Sequence, residues 1–271
     1  MYCRYRERKV IAGNYMDVSI YPVFAAHKGV RQKAFRPTSE VQKALNKKNS
    51  FKQLTYLLNT NFTDEDIRLD LTFRDECLPT TENEAWNCVN NFFRRIKRRL
   101  KRDNMQELKY IAVLDAGRPH FHIVCNLGAF NARTLRDIWG YGFIGVENLE
   151  FGQFGLEGLA RYMLKSPVGV RAWRASRNLK QPIRREVTGR LSGKQVKELS
   201  SLADAAEPFE RLYPGYSFAG SEPFFNDYNG CQYITVRLYR TPEYPEIQKN
   251  AKKRVLRRAR PAQACIREVK E

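Results

Sequence analysis

Residues 108–128 read LKYIAVLDAGRPHFHIVCNLG. Two runs of strand-forming residues flank a short stretch carrying glycine and proline, the pattern of an antiparallel hairpin turning around Ala116–Pro119. Side chains at i and i+2 of a strand share a face, so His120 and His122 project together. With the hairpin closed, Asp115 lies across the four-residue turn from His120, and Val113 opposes His122. One face therefore presents a carboxylate and two imidazoles, while Cys125 falls on the other.

Two imidazoles and a carboxylate, with positions left for water and substrate oxygens, suit a catalytic Mg2+ or Mn2+ ion. A His-x-His pair alone is more often structural; the carboxylate on the same face is what favours a metal. The third histidine, His27, lies in a basic segment and reads as solvated.

Upstream, DIRLDLTF (Asp66–Phe73) alternates. Ile67, Leu69, Leu71 and Phe73 take one side and Arg68, Asp70 and Thr72 the other, as in a half-buried strand. After Pro79, Thr81 can cap a helix and Glu84 completes a capping box. Trp86, Val89, Phe93, Ile96 and Leu100 mark one apolar face of that helix. Its later turns, RRIKRRLKR (Arg94–Arg102), hold seven cations in nine residues. They read as a solvated face or, in a chain this basic, as phosphate contacts through Arg94, Arg95, Arg98 and Arg99, which position a backbone without reading sequence. Further upstream, DVSIYPVF (Asp17–Phe24) is β-like, and a helical pattern runs from Thr38 to about Asn59 with Val41, Leu45, Leu54 and Leu58. Downstream, Asn131 caps a short helix to Trp139. A glycine-rich aromatic stretch, Gly140–Gly155, then leads to a helix over Leu156–Lys165. An amphipathic segment follows over Ser192–Ala205, and Gln232–Arg240 alternates as a strand. The tail from Lys249 is cationic.

Phosphodiester chemistry needs an attacking oxygen, and a tyrosine hydroxyl supplies one whose phenolate is also a leaving group. Of the 14 tyrosines, Tyr162 in GLEGLARYMLKS is singled out by context. On a helix Tyr162 and Lys165 share a face. Gly158 and Gly155 continue that stripe without side chains, and Leu156, Leu159, Ala160 and Met163 form the packing stripe opposite. The open face offers a phenol and an ammonium able to stabilise charge on a phosphate. Tyrosine near lysine is commonplace on helices, so the weight of this reading lies in its company.

The whole chain supports such a partner. Its 271 residues carry 48 Lys+Arg against 29 Asp+Glu, a net charge of +19, which makes nucleic acid the default partner, although charge alone also suits a ribosomal or membrane-surface protein. No apolar run approaches the roughly 18–20 residues of a membrane span, and MYCRYRERKV lacks the apolar core of a signal peptide. The six cysteines are scattered without a Cys-x-x-Cys pair, the usage of a reducing cytoplasm rather than of a zinc site.

Three elements in order, LDLTF (Leu69–Phe73), RPHFHIV (Arg118–Val124) and YMLK (Tyr162–Lys165), resemble the HUH endonucleases that start rolling-circle replication, most closely the single-tyrosine replication-associated proteins of phages and plasmids, the filamentous-phage type included. SRNLKQP (Ser176–Pro182) and GCQYITVRLYR (Gly230–Arg240) look like that group too. The resemblance implies an α+β fold, with a central antiparallel sheet of about five strands, helices on one face and DNA on the other. It implies His120, His122 and Asp115 as ligands of Mg2+ or Mn2+, with aspartate where glutamate is commoner, Tyr162 as nucleophile and Lys165 as its motif lysine. Only one tyrosine lies between Leu156 and Ser166, so a single-tyrosine mechanism follows. The implied substrate is single-stranded DNA at a replication origin, nicked and rejoined through a 5′-phosphotyrosine link in the cytoplasm of a bacterial host.

With no Gly-x-x-x-x-Gly-Lys-[Ser/Thr] run, helicase and polymerase are expected from the host, and no membrane is involved. The expected organisation is a basic N-terminal segment with a helix (1–60), a catalytic domain (61–185) and a C-terminal extension with a basic tail (186–271). Besides the helix arginines, Arg118, Arg171, Arg174, Arg177 and Lys180 are candidates for phosphate contact. A relaxase or tyrosine transposase would share this chemistry. A non-catalytic nucleic-acid-binding protein would bind without metal and form no adduct.

Overall fold

The computed structural model describes residues 4–24, 40–115, 117–167 and 172–241; His27, Arg171 and the tail from Lys249 lie outside the described residues. In chain order the strands are β1 (Arg4–Ala12), β2 (Tyr15–Val23), β3 (Ile67–Thr72), β4 (Tyr110–Asp115), β5 (His120–Cys125), β6 (Ile144–Asn148), β7 (Arg174–Ala175), β8 (Ile183–Thr188), β9 (Tyr216–Asn226) and β10 (Cys231–Arg240). The helices are α1 (Glu40–Asn61), α2 (Glu82–Arg102), α3 (Ala132–Trp139), α4 (Glu157–Met163), α5 (Gly193–Ser201) and α6 (Ala206–Leu212). No helix among the described residues is long and apolar enough to cross a membrane.

The fold is α+β. Strands β6-β3-β5-β4-β7 form an antiparallel five-stranded sheet with the histidine strand at its centre. Alternation decides what each face buries. Leu69 and Leu71 of β3, Ala112 and Leu114 of β4, and Phe121 and Ile123 of β5 face α2 and α3, where they meet Trp86, Val89, Phe92, Phe93, Ile96 and Trp139. Burial of side chains this large stabilises by about 1.5–3 kcal/mol each. Helix α2 begins as its sequence indicates, Thr81 Oγ accepting from Glu84 N at 3.2 Å. The reciprocal half of the box is displaced by one residue, because the Glu84 carboxylate accepts from the N–H and hydroxyl of Thr80 at 2.8 Å.

The opposite face is only partly free for a substrate. Leu54, Leu57 and Leu58 of α1, and Leu156 at the N-cap of α4 with Ala160 and Met163 of that helix, pack on Ile111, Val113 and Val124. Helices therefore lie on both faces, where the expectation placed them on one face and DNA on the other. Leu45, in the first half of α1, is 49% exposed.

A second antiparallel sheet, ordered β8-β1-β2-β10-β9, is not apparent from the residue pattern. It joins the first hairpin to strands from the end of the described chain, and α5 and α6 close one of its faces through Val196 and Phe209 against Val18, Ile20, Ile234 and Val236. The turn between β1 and β2 requires glycine: Gly13 has φ +60°, and a Cβ there would lie 2.2 Å from the Asn59 carbonyl oxygen.

Candidate active site

The hairpin closes in the expected register, Asp115 opposite His120 and Val113 opposite His122. His122 is buried at 5% exposure, under the helices of that face. Its Nδ1 lies 2.6 Å from Asp70 Oδ1, and His120 Nδ1 lies 2.9 Å from the Arg118 carbonyl. Both acceptors fix their imidazoles with Nδ1 as the donor, which leaves each Nε2 as a lone pair. The two Nε2 atoms face one another at 3.2 Å. Two converging lone pairs need a cation or proton between them, and one ligand atom from each of Asp115, His120 and His122 lies within 4.8 Å of the others. The donor set fits a divalent metal ion.

Asp70 and Arg68 belong to this site and were missed as site residues in the sequence. Asp70 pairs with His122 in register across β3 and β5. Burial on its own raises its carboxyl, but the His122 hydrogen bond and the Arg68 charge outweigh that and hold it below its ordinary value. The Arg68 guanidinium bonds Asp70 Oδ2 at 3.1 Å and Glu147 Oε2 at 2.7 Å. The alternation of DIRLDLTF puts Arg68 and Asp70 on the polar side; what it does not show is that His122 is their neighbour.

Tyr162 meets the same cluster. Its ring centroid is 4.8 Å from that of His122 at an interplanar angle of 62°, and the Arg68 guanidinium carbon stands 4.9 Å from the Tyr162 centroid. The side chain stays 45% exposed, beside a 640 Å3 cavity lined by Arg68, Glu147, Glu150 and Gly158 among others. The packing stripe of α4 is as expected, with Leu156, Ala160 and Met163 buried. Of the two glycines expected on the open stripe, Gly158 is as expected and Gly155 is not. A Cβ on Gly158 meets nothing within 4 Å, so that position is open. Gly155, at φ +60°, would place a Cβ 2.1 Å from Asn59 Oδ1, so its role is close packing rather than access. Asn59 Oδ1 also accepts from Leu156 N at 3.1 Å, seating the start of α4 on α1. The helix stops at Met163, with Leu164 as its C-cap, so Lys165 lies exposed just past its end rather than on the same helical stripe as Tyr162.

The candidate phosphate contacts are dispersed. Arg94, Arg95, Arg98 and Arg99 are exposed on α2, which covers the face opposite the histidines. Arg95 donates to the Ile138 carbonyl and Arg99 pairs with Asp103. Arg118 bonds the Phe73 carbonyl and Asp75. Arg174 stacks 3.9 Å from the Trp86 centroid and also turns away from the histidine face. Arg177 joins Lys97 and Lys101 around an 870 Å3 cleft at the end of α2. Lys180 is tied by its backbone to Asn61. Cys125 is buried on the α2 face, as parity requires, and burial pushes its thiol upward.

Neither the curated proteins nor the solved structures provide a match. A family model of replication-associated proteins, the ORF2 and gene II protein type, matches residues 66–167, the segment that runs from β3 through the histidine hairpin to the Tyr162 helix, and this similarity supports a replication-associated role.

Proposed function

We propose that this chain initiates replication by nicking single-stranded DNA at an origin and rejoining it through a phosphotyrosine intermediate, as in rolling-circle replication of a phage or plasmid. The observation that carries the reading is the packing of Tyr162 on His122, the buried member of the paired imidazoles. Asp115, His120 and His122 would hold the metal, Mg2+ or Mn2+, which supplies Lewis-acid polarisation of a phosphate oxygen. The Tyr162 phenol loses its proton to solvent and its oxygen attacks phosphorus. The P–O3′ bond breaks, the 3′ oxygen takes up a proton, and the 5′-phosphate stays on Tyr162. Lys165, exposed just past the end of α4, would balance charge on the phosphate.

The freed 3′-hydroxyl serves a polymerase, with helicase supplied by the host cell, and a later 3′-hydroxyl reverses the step. Bond energy is conserved in the link, so no ATP is consumed. In this reading residues 61–185 are the catalytic unit, flanked by 1–60 and 186–271. A relaxase or transposase would use the same chemistry on a different DNA.

Covalent trapping tests the proposal. The protein is incubated with Mn2+ and labelled single strands from its own replicon, then run on a denaturing gel beside Tyr162→Phe and a chelator control. A slow-migrating adduct lost in both controls is expected. An adduct that survives Tyr162→Phe moves the nucleophile elsewhere, and binding without any adduct favours a non-catalytic protein.

A further inference from the structure

The second sheet has one face closed by α5 and α6. Among the described residues the other is only half covered: α1 reaches it through Tyr56 on Val10, Ala12 and Tyr15 and through Lys52 on Asp17, and α4 through Glu157 on Arg237. Beyond that line, toward the start of β1 and the turn between β9 and β10, the strands carry a cross-sheet row. Arg6 stands opposite Tyr21 on β2, and Phe224 of β9 stands opposite Tyr233 of β10. Thr235 lies opposite Ser19, which sets Tyr233 in line with Tyr21 two residues along. Phe224 is 60% exposed, and its ring centroid is 5.9 Å from that of Tyr233.

Charge at this end is one-sided. Arg4, Arg6 and Arg8 alternate onto the open face, with Arg4 and Arg8 exposed. Among the described residues, Glu186 is shared between Arg6 and Arg8, at 3.7 and 3.5 Å, while Asp17 and Glu222 of the same face are engaged by Lys52 and Arg237. From β1 to β9 the row crosses three strand spacings, about 14 Å.

From this placement we infer that the open face of the second sheet binds single-stranded DNA. Two or three unpaired bases stack on Tyr21, Tyr233 and Phe224, and Arg4, Arg6 and Arg8 meet the phosphates. Ring faces of bases are available only when the strand is unpaired, and sheets bearing aromatic residues hold two or three bases this way. A protein of net charge +19 draws a polyanion to such a surface. The Glu157–Arg237 contact joins the sheet that carries the platform to the helix that carries Tyr162. The inference goes beyond the nicking reaction and does not depend on it.

The test uses the full chain in chelator, so that no cleavage intervenes. Binding of a short labelled oligothymidylate is followed by anisotropy, and ultraviolet crosslinks are mapped by mass spectrometry. Phe224→Ala should weaken binding about tenfold, the loss of one base–aromatic stack, and crosslinks should fall on peptides containing Phe224 or Tyr233. Phe225→Ala is the control: it is 48% exposed on the same strand but on the opposite face, paired with Gln232, and should leave affinity unchanged. Equal effects of the two variants, crosslinks confined to other segments, or a preference for duplex overturn the platform. Absence of an adduct in the separate Mn2+ trapping assay, with this binding intact, would instead count against Tyr162 chemistry.

Discussion

Asp70 and His122 face each other across β3 and β5, carboxylate oxygen to imidazole nitrogen at 2.6 Å. The carboxylate fixes the imidazole tautomer and so aims His122 Nε2 at His120. An outer carboxylate of this kind supports metal affinity without touching the ion. Asp70→Asn is expected to weaken Mn2+ binding about 10- to 100-fold with little change in far-UV circular dichroism. Calorimetric Mn2+ titration of the two proteins decides it; equal affinities would leave Asp70 as a structural partner only.

Arg68 touches both Tyr162 and Asp70, the carboxylate partner of His122. Its guanidinium lies over the Tyr162 ring and is pinned by Asp70 and Glu147. A cation over an aromatic ring contributes about 0.5–2 kcal/mol, here to holding the phenol in one position. Arg68→Gln should therefore slow adduct formation about 2- to 30-fold, the range that such energies convert to. Arg68→Lys, which keeps charge but not the planar fork, should recover part of the loss. Single-turnover rates at saturating Mn2+ separate this effect from metal binding.

The site was legible where local pattern fixes geometry. Period-two alternation placed both histidines on one face, and a short turn brought Asp115 opposite His120. Helical spacing likewise gave the packing stripe of α4. Contacts between distant segments left no such trace. Asp70 could be assigned to a polar side but not to His122, 52 residues away. Strand β8, IRREVT, is exposed along its whole length and shows no alternation. In β1 the interior side includes Glu7, buried only because Arg190 and Lys9 neutralise it. The second sheet depends on pairings such as Ser19 with Thr235, 216 residues apart.

Gly155 and Gly158 sit three residues apart with opposite constraints. Gly155 holds a positive φ against Asn59, whereas Gly158 is helical and open. Gly155→Ala should destabilise by at least about 1–2 kcal/mol from backbone strain and displace the start of α4. Gly158→Ala should stabilise by up to about 1 kcal/mol, the helix propensity difference. Urea unfolding of the two variants measures both signs, and a stable Gly155→Ala protein would refute the close packing on Asn59.

Glu157 ties the Tyr162 helix to the second sheet. It is only 5% exposed, pairs with Arg237 Nε at 3.4 Å and Arg161 at 3.1 Å, and lies in the first turn of α4, where a negative charge also suits the helix dipole. Burial opposes the charge on Arg237, but Glu157 and Glu222 outweigh it and raise the guanidinium further above its ordinary value. Arg237→Met leaves the buried carboxylate with Arg161, whose side chain is 72% exposed. That remaining partner is screened by solvent, so the loss should be about 2 kcal/mol, below the 3–5 of a fully orphaned buried charge. Glu157→Gln in the Arg237→Met background removes the stranded charge and should return part of that stability. A double-mutant cycle by urea denaturation gives the coupling; additive single effects would show that α4 is seated by Asn59 and its apolar stripe alone, and that the two sheets are not joined through this pair.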